Sequence, residues 1–169
     1  SGARRPEVGD VELEIPARSA YVSLARQVVA AIAAVEPRFR TERIDDLRVA
    51  VSEAVTNAVQ AHADTADDGG RVRIRCHLDV EGDRVIVEVR DRAGGFDPGT
   101  VPVVPEPDHP DRLGFEHGLG IPIMRELADE TEIVPVGGGT AVRLVVYRSE
   151  AVADAEASGP VDPATGPVR

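Results

Sequence analysis

Three observations predict an α+β fold, a two-layer α/β sandwich with helices on one face of a mixed, mostly antiparallel sheet. Apolar residues between 19 and 63 recur at helical spacing, whereas those in 72–80 and 85–89 alternate as in strands. The two alternating runs are joined by Glu81-Gly82-Asp83, short enough for a hairpin. Each run has one apolar and one charged face, which suits a sheet with one wet side, and helices must then cover the other.

The elements follow in order. Residues 1–9 are polar and are expected to be flexible. Val11, Leu13 and Ile15 alternate with Asp10, Glu12 and Glu14, a short half-buried strand closed by Pro16. Val22, Leu24, Ala25, Val28, Val29 and Ile32 predict a helix from Ser19, its expected N-cap, to about Val35, where Glu36-Pro37 ends it. A long helix over 42–63, with Thr41 as its expected cap, carries the apolar stripe Ile44, Leu47, Val51, Val55 and Ala58. Val72, Ile74, Cys76, Leu78 and Val80 share the inner face of the next strand, and Val85, Val87 and Val89 that of its partner. Cys76 is therefore a core residue, and His77, on the other face, a solvated one.

Asp91 to Arg112 is an irregular stretch with five prolines between Pro98 and Pro110, a length usually reserved for functional loops. A helix over roughly Ile121–Glu130 accepts Pro122 in its first turn. Thr131–Val136, Gly137-Gly138-Gly139 and Thr140–Tyr147 predict a final hairpin. One domain over 10–148 and a disordered tail over 149–169 are expected.

Composition narrows the function. The net charge of −11 opposes binding to nucleic acid or to an anionic membrane surface. All 19 basic residues are Arg, so a Walker A lysine, a kinase strand lysine and Schiff-base chemistry are excluded. A lone cysteine, no long apolar run and no signal-peptide pattern lead to the expectation of a cytoplasmic protein.

Three features exceed core patterning. Glu53 and Asn57, four apart, stack beside the apolar stripe. Asp91 ends a strand and is followed by Gly94 and Gly95. Gly118 and Gly120 precede a helix. Each alone is more often a surface pair, a turn or a bend than a site.

In this order they resemble the GHKL ATPases, the superfamily of gyrase and histidine-kinase ATP-binding domains. SEAVTNA (Ser52–Ala58) is similar to the N box, and its Glu four residues before the Asn resembles the bacterial anti-sigma-factor serine kinases. VRDRAGGFDP (Val89–Pro98) resembles the middle box, GLGIPIMRELADE (Gly118–Glu130) the glycine box, and GGTAVRL (Gly138–Leu144) the final strand motif. The resemblance implies the Bergerat ATP-binding fold with ATP and Mg²⁺ as cofactors. It implies Asn57 as Mg²⁺ ligand, Glu53 as general base and Asp91 as acceptor for the adenine amino group, with Thr140 behind it. Gly95 would let the backbone pass the base. Gly118, Leu119 and Gly120 would offer N–H groups to the phosphates, and residues 98–117 would form a lid with Arg112 near the γ-phosphate.

The implied activity is ATP-dependent serine/threonine-protein kinase. The implied partners are a sigma factor, a STAS-type anti-sigma-factor antagonist and a second copy of the chain. The chain departs from the pattern at Ala93, which replaces a glycine, at Ala61, where relatives carry His, and at Glu116, whose charge would repel phosphate. No role falls to His62. The alternatives are a catalytically weak nucleotide-binding module that acts by contact, and an α+β domain without nucleotide.

Overall fold

The computed structural model describes residues 10–63, 69–81, 83–92 and 120–149, with 154 and 157. Strand β1 (Asp10–Pro16) leads through a 3-10 turn (Ser19–Tyr21) into α1 (Val22–Ala33) and α2 (Thr41–Ala63). Strands β2 (Arg71–Asp79) and β3 (Arg84–Asp91), helix α3 (Gly120–Leu127), and strands β4 (Glu130–Val136) and β5 (Gly139–Tyr147) follow. The sheet order is β1-β2-β3-β5-β4, and every neighbouring pair is antiparallel, so the mixed character expected from the sequence is absent among the described residues.

The alternation in β2 and β3 is realised. Val72, Ile74, Cys76, Val85, Val87 and Val89 are buried under the helices. Val80 is the exception. It falls past the end of β2 and is 48% exposed. In α2, Leu47, Val51, Val55 and Ala58 are buried as the stripe predicts, and Ile44 packs at its margin. Ala25, Val29 and Ala33 of α1 complete that layer. With no Trp, the core is made mainly of Val, Leu, Ile and Ala in close contact, with Phe39 and Met124 among them.

Two expected caps are not formed. Ser19 lies inside the 3-10 turn, and Tyr21, with no side-chain cap, precedes α1. Thr41 is the first residue of α2 itself. Backbone carbonyls serve in their place: the Tyr21 N–H donates to Arg18, the Val22 N–H to Ser19 and the Ile44 N–H to Arg40.

The outer face of the sheet is charged. Glu12 of β1 faces Arg73 at 3.4 Å and Arg75 at 3.1 Å, and Glu130 faces Arg143 at 3.5 Å. His77 is half-buried and pairs with Asp10 rather than standing free in solvent. Charges along β1 and Pro135 in β4 protect the two edges from further strand pairing. Gly137 and Gly138, with φ of 43° and 87°, form the tight turn between β4 and β5. No described helix is long and apolar enough to cross a membrane.

Candidate functional site

Helix α2 presents Glu53 and Asn57 one turn apart, both half-buried, because the inward positions on either side are taken by Ala54, Val55 and Ala58. Gly120 opens α3 directly against them. A Cβ placed on Gly120 would lie 3.0 Å from Asn57 Nδ2, 3.1 Å from Asn57 Oδ1 and 3.1 Å from Glu53 Oε2. The glycine thus keeps open a space in which a carboxylate, a carboxamide and the first turn of a helix converge. That combination can accept a proton, ligate a hard cation and hold an anion near backbone N–H groups.

A second cluster sits at the end of the sheet. Asp91 closes β3 and pairs in register with Thr140 of β5. Both are buried, Asp91 to 8% and Thr140 to 2% exposure. They are close-set because the neighbouring residue is glycine: a Cβ on Gly139 would come within 1.8 Å of the Asp91 carbonyl oxygen. Thr140 Oγ1 has no hydrogen-bond partner among the described residues. A buried hydroxyl in that state costs about 1–3 kcal/mol, which a bound polar group would relieve.

Asp91 also lines a cavity of about 490 Å³ with His62, Gly70, Arg71, Arg92 and Gly137. Glu53 and Asn57 do not line it. The sequence pattern assigns His62 no role. It is 5% exposed and lies so close beneath Gly70 that a Cβ there would meet its Nδ1 at 2.5 Å. Its position four after Ala58 and seven after Val55 was the signal that it points inward.

Of the nine residues singled out from the sequence, the structure brings Glu53, Asn57 and Gly120 together, and separately Asp91 and Thr140. Gly95, Arg112, Gly118 and Leu119 lie outside the described residues, as do the lid and the departures at Ala93 and Glu116. Among the described residues no group of three or more His, Cys, Asp and Glu side chains could hold a metal ion. Mg²⁺ does not require one, since it is commonly held by one or two protein oxygens with phosphates and water. Cys76 is no candidate nucleophile. Burial, helped by the charge of Asp10, pushes its thiol up from 9.0 to about 12.

The family model for the histidine kinase-like ATPase domain matches residues 15–146, from the end of β1 to the end of β5. The chain belongs to the histidine kinase-like ATPase domain family. Within it, the chain is 37% identical over 142 residues to the serine-protein kinase RsbW of Bacillus licheniformis, covering 81% of this chain and 84% of the relative. It is 35% identical over 151 residues to RsbW of Bacillus subtilis, with 84% and 88% covered, and 32% identical over 146 residues to RsbW of Listeria innocua, with 83% and 88% covered. A crystal structure of the RsbU and RsbW domains of a Mycobacterium tuberculosis protein has the same fold, with a TM-score of 0.57 at 21% identity. That match covers 80% of this chain and 31% of the other. As a histidine kinase-like ATPase domain, the chain has ATP as its expected nucleotide.

Proposed function

We propose that this chain is an ATP-dependent serine/threonine-protein kinase that sequesters a sigma factor and phosphorylates a serine on a STAS-type anti-sigma-factor antagonist. It works in the cytoplasm as a homodimer, and residues 10–148 form the nucleotide-binding unit. The observation that carries the reading is the convergence of Glu53, Asn57 and Gly120 at the start of α3. The identity to serine-protein kinases over most of the chain supports it.

In this reading Asp91 accepts a hydrogen bond from the adenine amino group, and Thr140 Oγ1 finds its missing partner there. Asn57 Oδ1 would hold Mg²⁺, which when bound neutralises phosphate charge and aligns the β- and γ-phosphates. Glu53 takes the proton from the substrate serine as its oxygen forms a bond to the γ-phosphorus. The bond from that phosphorus to the β–γ bridging oxygen breaks, and ADP leaves. The α3 N-terminus offers its backbone N–H groups and positive dipole end to the phosphates. Gly95, Gly118, Leu119 and Arg112 complete the nucleotide contacts.

Radiolabelled ATP incubated with candidate antagonists tests this. Label should reach a serine, and Glu53→Ala should abolish transfer while retaining MgADP binding. Full transfer by that variant would remove Glu53 as the base. Nucleotide binding with no transfer to any antagonist would leave the regulatory-module reading in its place.

A further inference from the structure

Arg43 lies in the first turn of α2, ten residues before Glu53, and Asp129 just past the end of α3, so both are joined to the proposed site through these helices. Arg43 is buried at 7% exposure in the first turn of α2. Its Nη2 donates to Asp129 Oδ2 at 2.5 Å, its Nη1 to Asp46 Oδ2 at 2.7 Å and its Nε to the Tyr147 carbonyl at 3.2 Å. Asp129 follows the end of α3. Its Oδ2 also accepts the Tyr147 N–H at 2.8 Å, and its own N–H donates to the Val145 carbonyl at 2.9 Å. The guanidinium fork thus clasps α2, the α3–β4 joint and the end of β5 at once, which the point charge of a lysine could not reproduce.

We propose that Arg43 and Asp129 are positioning residues for the kinase reaction: their ion pair pins the far end of α3 to α2 and so fixes Gly120 against Asn57 and Glu53. The proposal rests on the site reading above. Helix α3 has eight residues, about 12 Å of rigid rod. Its first residue abuts Glu53 and Asn57, and its end is tied ten or more residues earlier on the same helix, about 15 Å away. The two helices therefore run antiparallel with both ends of α3 anchored on α2. Between the anchors lie Ile121 and Met124, at 5% and 0% exposure. Their apolar contacts hold the helices together but fix no donor–acceptor geometry. The clasp supplies the directional constraint. Without it, the N–H groups of the first turn shift relative to the carboxamide and carboxylate.

The test compares Asp129→Asn, Arg43→Lys and the double variant with Val29→Ala, which weakens the core in α1 away from this clasp. For each, kcat and KM for MgATP in serine phosphotransfer and MgADP affinity are measured well below unfolding, and Tm in a separate thermal scan. Both clasp variants should lose kcat/KM by roughly tenfold, part of the ~100-fold that a 1 Å misplacement can cost, and the double should be no worse than the poorer single. Val29→Ala should lower Tm and leave kcat/KM at the wild-type value. Clasp variants that lower Tm but keep wild-type kcat and KM would overturn the proposal. Asn57→Ala in the same assays separates the two readings. If it retains MgADP affinity, the site reading falls and this proposal with it; if it loses affinity while Asp129→Asn keeps wild-type kinetics, the proposal alone falls.

Discussion

Gly120→Ala should separate stability from function. The new methyl would meet Asn57 Nδ2 at 3.0 Å, Asn57 Oδ1 at 3.1 Å and Glu53 Oε2 at 3.1 Å, which forces neighbours to give by a few tenths of an ångström. Gly120 is already helical, so alanine introduces no backbone strain there. It gains up to about 1 kcal/mol of helix propensity, reduced because the position is the first of α3. The polar ends of Glu53 and Asn57 are flexible and half-exposed, so they can turn aside at small cost. Net stability should therefore stay near wild type or rise. Function should not. If a 1 Å misplacement costs ~100-fold, a shift of a few tenths predicts a loss of about four- to tenfold in kcat/KM for MgATP. Differential scanning calorimetry reads the first quantity and steady-state phosphotransfer the second. A variant with unchanged Tm and unchanged kcat/KM would refute the idea that this space is used by the nucleotide.

Three further outcomes are expected. Thr140→Val removes the unpartnered buried hydroxyl while keeping its shape, so the nucleotide-free protein should gain on the order of 1 kcal/mol and MgADP affinity should fall about fivefold; a thermal gain with undiminished affinity in calorimetry would show that the hydroxyl does not meet the nucleotide. Asn57→Ala should weaken MgATP far more than ATP measured in EDTA, and equal losses in the two titrations would remove Asn57 as the metal ligand. Cys76 should resist thiol reagents at about pH 8 until the chain unfolds, because its raised pKa leaves almost no thiolate. Because that pKa is raised in the fold, the contribution is whole below 9.0 and is lost as pH climbs toward about 12, with a slope of up to about 1.4 kcal/mol per pH unit. Urea unfolding of wild type against Cys76→Val across that range should show the difference, and parallel curves would refute it.

The parts of this protein legible in its sequence are those governed by local periodicity. The hairpin of β2 and β3 and the stripe of α2 depend on residues two, three or four apart, and they form where the pattern puts them. Helix ends were less legible. Ser19 and Thr41 have the right chemistry for caps, but packing of α1 and α2 starts the helices one to three residues away from where capping alone would. The directions of β1 against β2 and of β3 against β5, antiparallel among the described residues, were also hidden, since no short turn joins those strands.

The same distinction explains the site. Glu53 and Asn57 are an i, i+4 pair and announce themselves as such. What turns the pair into a site is Gly120, 63 residues beyond Asn57, whose missing side chain is meaningful only once α3 is laid on α2. Arg43 is more extreme. It sits among ordinary charged residues in α2, and its burial depends on Asp129 and Tyr147, 86 and 104 residues away. A charge is buried at an acceptable cost only where several partners converge, and no local spacing reveals that convergence. The burial of His62 is hidden for a related reason. The resemblance directed attention to position 61, whereas the helix period directs it to 62, and the cavity wall follows the period. Motif matching finds residues that share a position with relatives, while packing selects those that share a surface in this chain. Arg43 and His62 are legible only in the structure because what marks them is the set of neighbours they pack against, not a spacing along the chain.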